Sequence, residues 1–199
     1  MEKITLLVWS DESLAAAEGV TAPGLRSVEI SRAARLEHAT LLLGRGPDLA
    51  GMVDLWVDSV DVWPKIVEQV AADAYLVTES IPQALSDTPG LLTHLTWFPK
   101  PERLTDEAFF HGWHVIHTPS SADLHPLRRG YVRNAVARTL TPGSPPVRAI
   151  VSELIEPEVY LDPARLFGSD AALKATMDEL PLYADSADIS SCPVWKLAR

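Results

Sequence analysis

The chain has 199 residues, 47% of them hydrophobic and 22% charged, with a formal net charge of −10. That length serves one large domain or two small ones, and the composition is that of an ordinary globular protein. An acidic balance without a long basic cluster excludes nucleic acid and anionic membrane as partners, and no apolar run reaches the ~18 residues of a membrane span. The single cysteine, Cys192, rules out an internal disulfide and fits a reducing cytoplasm. Six tryptophans suit a core, a subunit interface or an aromatic-lined pocket.

The N-terminus has no signal-peptide pattern and runs straight into an apolar stretch, residues 4–9, that reads as a buried strand. Residues 11–18 fit only a short helix, and residues 25–31 a strand followed by arginines. Residues 52–59 alternate apolar and polar side chains and predict a strand. Asp61 is placed to cap a helix whose inner face carries Trp63, Ile66, Val67 and Val70, with Pro64 tolerated in its first turn. Residues 74–79 give another strand. The turn-rich joint Ser86-Asp-Thr-Pro-Gly90 follows, and the order then repeats. Strand 91–98 leads to helix 104–117 and strand 131–140. A proline-rich break, Thr141 to Pro146, precedes strand 148–155 and a helical turn at Asp162-Pro163. Ser169 caps a further helix with Leu173, Met177 and Leu180 in line, and strand 189–197 closes the chain.

The expected fold class is therefore α+β, with two ferredoxin-like β-α-β-β-α-β repeats at residues 1–88 and 89–199. A short match, Ile4-Thr-Leu-Leu-Val-Trp9 with Leu92-Thr-His-Leu-Thr-Trp97, supports the repetition. Each repeat leaves one face of an antiparallel sheet bare. Burying the two faces together predicts a sandwich or barrel with helices outside.

Groups able to move protons concentrate in the segment from Trp113 through His114 and His117 to Pro119. Thr105 is a candidate N-cap, and Asp106 and Glu107 suit the first helical turn. Phe109, Trp113 and Ile116 repeat at helical spacing, and Phe110, Trp113, His114 and His117 form an adjoining stripe. Pro119 pushes Thr118 out of the α region, so the helix is expected to stop near His117. At that end the dipole favours imidazolium, while aromatic burial favours neutral imidazole. Two helical histidines serve equally well as packing residues. With no H-E-x-x-H pattern or cysteine pair beside them, no metal site is expected.

The residues from Trp113 to Pro119 resemble an EthD-domain motif of the dimeric α/β-barrel superfamily. Gly130-Tyr-Val-Arg-Asn134, Asp162-Pro163 and the N-terminal stretch from Ala74 to Ser80 reinforce the likeness, which is similar to the tandem actinobacterial type. The resemblance implies a dimeric α/β-barrel-type fold with a pocket between the helices and the concave side of the sheet. It also implies cofactor-free isomerases, polyketide cyclases or haem-binding oxygenases as functional relatives.

On this reading His117 matches the motif histidine and serves as general acid/base, with His114 as a second candidate. Tyr131 would donate to a developing oxyanion. Trp113, Phe110 and Trp97 would shape the pocket, and Asn134, His94 and Arg128 would contact substrate. Tyr131 and Asn134 point to opposite faces of a regular strand, so only one should line the pocket. His94 reaches it if its face is the concave one, and packs under a helix if not. Arg128 holds a substrate carboxylate or belongs to a solvated loop, residues 120–130, that could act as a lid.

The expected activity is cyclisation, dehydration or decarboxylation of a small hydrophobic carbonyl or phenolic compound, polyketide-like in type, without a cofactor. A haem protein with a histidine axial ligand and a non-catalytic ligand-binding module are the alternatives. The protein is expected to be a cytoplasmic homodimer with a small-molecule substrate.

Overall fold

The computed structural model describes residues 1–36, 43–160 and 162–197. Among these, eight strands form a closed antiparallel barrel. The strands are β1 (Glu2–Val8), β2 (Leu25–Ala33), β3 (Gly51–Val57), β4 (Asp73–Gln83), β5 (Leu92–Pro99), β6 (Gly130–Thr139), β7 (Val147–Ile155) and β8 (Ser190–Lys196). They run around the barrel as β1-β3-β2-β8-β5-β7-β6-β4. The first four strands are thus contiguous, as are the last four, and the ring closes within one chain through two seams. One seam, β4 with β6, is long and runs from Tyr75 opposite Thr139 to Gln83 opposite Tyr131. The other, β2 with β8, pairs only Ser31, Arg32 and Ala33 with Lys196, Trp195 and Val194.

Alternation along the strands decides where each side chain goes. In the N-terminal half the outward residues, Ile4, Leu6, Val53 and Leu55, pack with Leu14, Trp63 and Ile66 into a filled core. Leu14 belongs to α1 (Asp11–Glu18), and Trp63 and Ile66 to α2 (Trp63–Val67). Ser59, rather than Asp61, supplies the cap before α2: its hydroxyl accepts from the Asp61 amide at 3.2 Å. Inside the barrel, one end is plugged by apolar groups including Leu7, Tyr75, Leu95, Trp97, Ile150 and Cys192. The other end is polar.

Against the outer face of the C-terminal sheet lies a helical run in three pieces: α3 (Asp106–Phe110), a π-helical turn (His111–His117) and α4 (Thr118–Leu124). Thr105 caps its start, accepting from the Ala108 amide at 3.1 Å. The run does not stop at His117. Thr118 keeps helical dihedrals, φ −61° and ψ −44°, even before proline. The π-turn widens the helix, so the Pro119 ring clears carbonyls it would strike in a regular α-helix. The Thr118 amide donates to the Trp113 carbonyl, and its hydroxyl donates to the same oxygen at 2.8 Å. The helix ends instead at Leu124, just before Pro126. The expected loop 120–130 is thus helical in its first part.

The π-turn also corrects the buried face. Uniform helical spacing gives two stripes, one ending at Ile116 and one at His117; Ile116 is 38% exposed, whereas Phe109, Trp113 and His117 are buried. Stretching the bonding to i→i+5 carries the inward position on by one residue. Three short helices then cover the rest of the sheet: α5 (Pro157–Tyr160), α6 (Pro163–Phe167) and α7 (Asp170–Glu179), the last capped by Ser169 as expected. Among the described residues, no helix is long and apolar enough to cross a membrane.

Candidate functional site

Packing under the C-terminal helices is incomplete and leaves a cavity of about 200 Å³. Its sheet wall carries His94 and Phe98 from β5, Tyr131 from β6 and Glu153 from β7. Its helix wall carries Trp113 and His117, and Tyr183 closes it from the segment after α7. Aromatic rings dominate: Phe98 lies 5.9 Å from both Trp113 and Tyr183, centroid to centroid.

His117 is the best-organised titratable group here. Its Nδ1 lies 3.0 Å from Glu179 Oε2, which also accepts from Ser120 Oγ at 2.8 Å. A carboxylate can only accept, so Nδ1 carries the proton and Nε2 keeps its lone pair. The imidazole rests on the Tyr183 ring at 4.6 Å, tilted 33°. Burial lowers the His117 pKa from its ordinary value, and the hydrogen bond to Glu179 only partly opposes this. His117 is a neutral imidazole at neutral pH, the form that can accept a proton.

Tyr131 accepts from Trp113 Nε1 at 3.3 Å, and the Arg128 guanidinium lies 4.3 Å over its ring. Burial, helped by the negative charge of Glu153, raises its pKa. The Tyr183 phenol is pushed up in the same way, by burial first and then by Tyr131 and Glu153. Both phenols therefore stay protonated and are hydrogen-bond donors in kind.

A second cluster forms the cavity's far wall. Arg128 Nη1 donates to Glu153 Oε1 at 2.8 Å, and His125 Nδ1 lies 3.2 Å from the same oxygen. Burial by itself would raise the Glu153 pKa. The charges and hydrogen bonding of His125, Arg128 and His94 outweigh it and hold the carboxyl well below the usual range. His94 is pushed down to about 4 by burial and stays neutral.

Several expected site residues are placed elsewhere. Trp97 points into the barrel, edge-on to Trp9 at 6.2 Å, because it alternates with His94 and Phe98 along β5. Asn134 also faces inward, as the alternation with Tyr131 requires. Phe110 and His114 form an outer pair, 5.2 Å apart, beside rather than in the cavity. Arg128 is buried, neither solvated nor open to a ligand, since Glu153, Gln83 and Ser121 use its donors. His94 lies on the outer, convex face of the sheet, under the helices, and it lines the cavity there, so the expected pocket on the concave side is corrected to the convex one. Glu179, Tyr183 and His125 complete the site without having stood out in the sequence. The one available signal was Glu179, one turn after Thr176 on the helix capped by Ser169. Among the described residues, no three histidine, cysteine or carboxylate side chains are grouped as metal ligands.

Neither a protein-family model nor a curated protein matches the sequence. Solved structures do. An anthrone oxidase-like protein superposes with a TM-score of 0.60 at 14% identity, covering 99% of this chain and 91% of its own. A candidate monooxygenase from Lactobacillus acidophilus gives 0.50 at 10% identity, covering 98% and 92%. One from Fusobacterium nucleatum gives 0.51 at 10% identity, covering 99% and 91%. At these identities the likeness shows the fold, and fold alone does not carry function. The chain is an α+β protein built on the antiparallel barrel these structures share.

Proposed function

We propose that the protein is a cofactor-independent enzyme that removes a proton from a small hydrophobic carbonyl or phenolic compound. One observation carries the reading: a neutral histidine, oriented by Glu179, opens onto an aromatic-walled cavity beside two protonated tyrosines. His117 Nε2 takes a proton from a carbon acid or phenol, and the resulting enolate or phenolate is stabilised by a phenolic donor, Tyr131 or Tyr183. Rearrangement, elimination or decarboxylation then follows from that anion. The neighbours' names, anthrone oxidase-like and monooxygenase, suggest a second fate for it, reaction with dioxygen.

A haem suits these residues less well. The cavity is smaller than the ~300–1,000 Å³ typical of ligand sites. Arg128 is committed to Glu153, and Arg133 to Thr118 and Ser80, so neither is open to a haem carboxylate. We also propose that the two halves are ferredoxin-like repeats of EthD type, meeting near residue 88. The strand order of each half supports this. With closure achieved inside one chain, homodimerisation is a separate question, read directly by mass in solution.

The test uses anthrone as the probe in deuterated water. Wild type is expected to accelerate exchange of the acidic C–H, and His117→Asn to lose about 10²–10⁴ of that rate. Equal exchange by both proteins would overturn the role of His117. A dioxygen electrode separates oxidation from a lyase or isomerase outcome. Saturable binding without exchange would leave a non-catalytic binding protein, and a hemin titration with a shifted Soret band would restore the haem reading.

A further inference from the structure

The barrel interior holds a second, larger cavity, about 490 Å³, on the opposite face of the sheet from the His117 site. Its inner wall sets a polar cluster among apolar side chains, Met52, Trp56 and Val132. Lys3 Nζ bridges Asp54, at 3.0 Å, and Glu79, and Thr5 Oγ1 donates to Asp54 at 2.6 Å. Glu79 stands opposite Asn134 in the β4–β6 register. Asn134 is 0% exposed, yet neither its amide nitrogen nor its amide oxygen has a hydrogen-bond partner. A buried amide left in that condition costs on the order of 1–3 kcal/mol per group. Seven other strands surround it with side chains that could have been apolar, as they are at the plugged end. At the open end the cavity is rimmed by Ile81, Asp87 and Thr88, and by the Glu29–Lys196 ion pair at 2.7 Å.

The lining defines what would fit. Among the described residues that line this cavity, Lys3 is held by two carboxylates and Lys196 at the rim is paired with Glu29, so an anion meets no free positive charge there. Ser31, Thr93 and Ser152 set hydroxyls among the apolar Met52, Trp56 and Val132, a mixture that suits a ligand with both C–H faces and hydroxyl groups. Asn134 offers donor and acceptor together, and the carboxylates offer further acceptors. Hydroxyl groups match both, because each donates and accepts. We propose that the polar end of the barrel is a binding site for a small uncharged polyol, read by Asn134 and the Lys3–Asp54–Glu79 cluster. This site is independent of the activity assigned to His117.

Asn134 is the only asparagine in the sequence, so selective labelling with side-chain ¹⁵N-asparagine gives a single pair of amide resonances. The probe is myo-inositol titrated into the intact protein, with acetate and putrescine as an anion and a cation of similar bulk. The expected result is a saturable shift of the Asn134 amide with inositol alone. Asp54→Asn, followed by the same resonances, is expected to weaken that titration at least tenfold. A crystal structure soaked in inositol would show the ring in the barrel. No saturable shift with inositol, leaving water as the sole occupant, would overturn the proposal. A shift with acetate or putrescine but not inositol would overturn it too. The wild-type titration decides the matter even if the variant fails to fold.

Discussion

His117 and Glu179 stand 62 positions apart in the chain and act as one unit. Glu179 fixes which nitrogen of the imidazole is bare. Glu179→Gln can donate as well as accept, so it can invert the tautomer; the expected cost is ~10-fold or more in rate with the fold intact. If His117 is the base proposed above, its working form is the neutral one, and since its pKa lies below the ordinary value activity should be flat through neutral pH. It should fall only on acidification below the usual histidine range. A pH–rate profile checks this, and a loss of rate on the alkaline side would point to a different group. Stability carries its own acid dependence. His94 is pushed down to about 4 by burial. Above about pH 6.5 it is neutral both folded and unfolded, and adds nothing. Between there and about 4 only the unfolded chain takes the proton, so stability should decline by about 3 kcal/mol across that window. Glu153 works lower: its contribution is present above the usual carboxylate range and lost as the pH falls through it towards the folded-state value. Melting temperature against pH for wild type and His94→Gln should differ in slope chiefly in the upper window, with a smaller difference below it because His94 also acts on Glu153.

At the scale of elements, the π-turn His111–His117 organises the site, and Gly112 within it lets the Leu182 backbone pack close. A Cβ at Gly112 would sit 2.3 Å from the Leu182 carbonyl oxygen, which is backbone and cannot swing aside. Gly112→Ala is expected to destabilise by roughly 1–3 kcal/mol and to displace the neighbouring Tyr183 from the His117 ring. Thermal melting and the environment of His117 by NMR would register the two effects; an unchanged melting temperature would contradict the close approach. The same turn shows where the sequence was legible and where it was not. The succession of strands and helices along the chain, the Thr105 and Ser169 caps and the opposed faces of Tyr131 and Asn134 follow from short-range rules, and the structure agrees. The inward turn from Ile116 to His117 does not follow, because nothing in the letters marks a change from i→i+4 to i→i+5 bonding. Glu179 and Tyr183 were invisible for another reason. Their chemistry exists only once α7 is laid across the sheet beside a helix sixty residues earlier. The orphaned amide of Asn134 likewise required knowing which side of the sheet was wet.

For the molecule as a whole, the two seams are unequal. The β4–β6 seam runs the length of its strands, while β2 and β8 share the short register of Ser31–Ala33 with Val194–Lys196. At its two ends the Ala34 amide donates to Pro193 at 2.7 Å and the Leu197 amide to Ile30 at 2.9 Å. Amide exchange at Ala34 and Leu197 should be faster than across β4–β6, since local opening costs least where few bonds break. Equal protection at both seams would mean the barrel opens only by global unfolding.

Closure inside a single chain has another consequence. When a ring is assembled from two identical subunits, every substitution is made twice, and each half must remain good at the same thing. Here the halves are joined but not identical. One has filled the space beneath its helices with Leu14, Trp63 and Ile66, and the other keeps that space hollow around His117. Covalent linkage frees the halves from each other: one supplies the tight packing, so the other can tolerate an imperfectly filled interior.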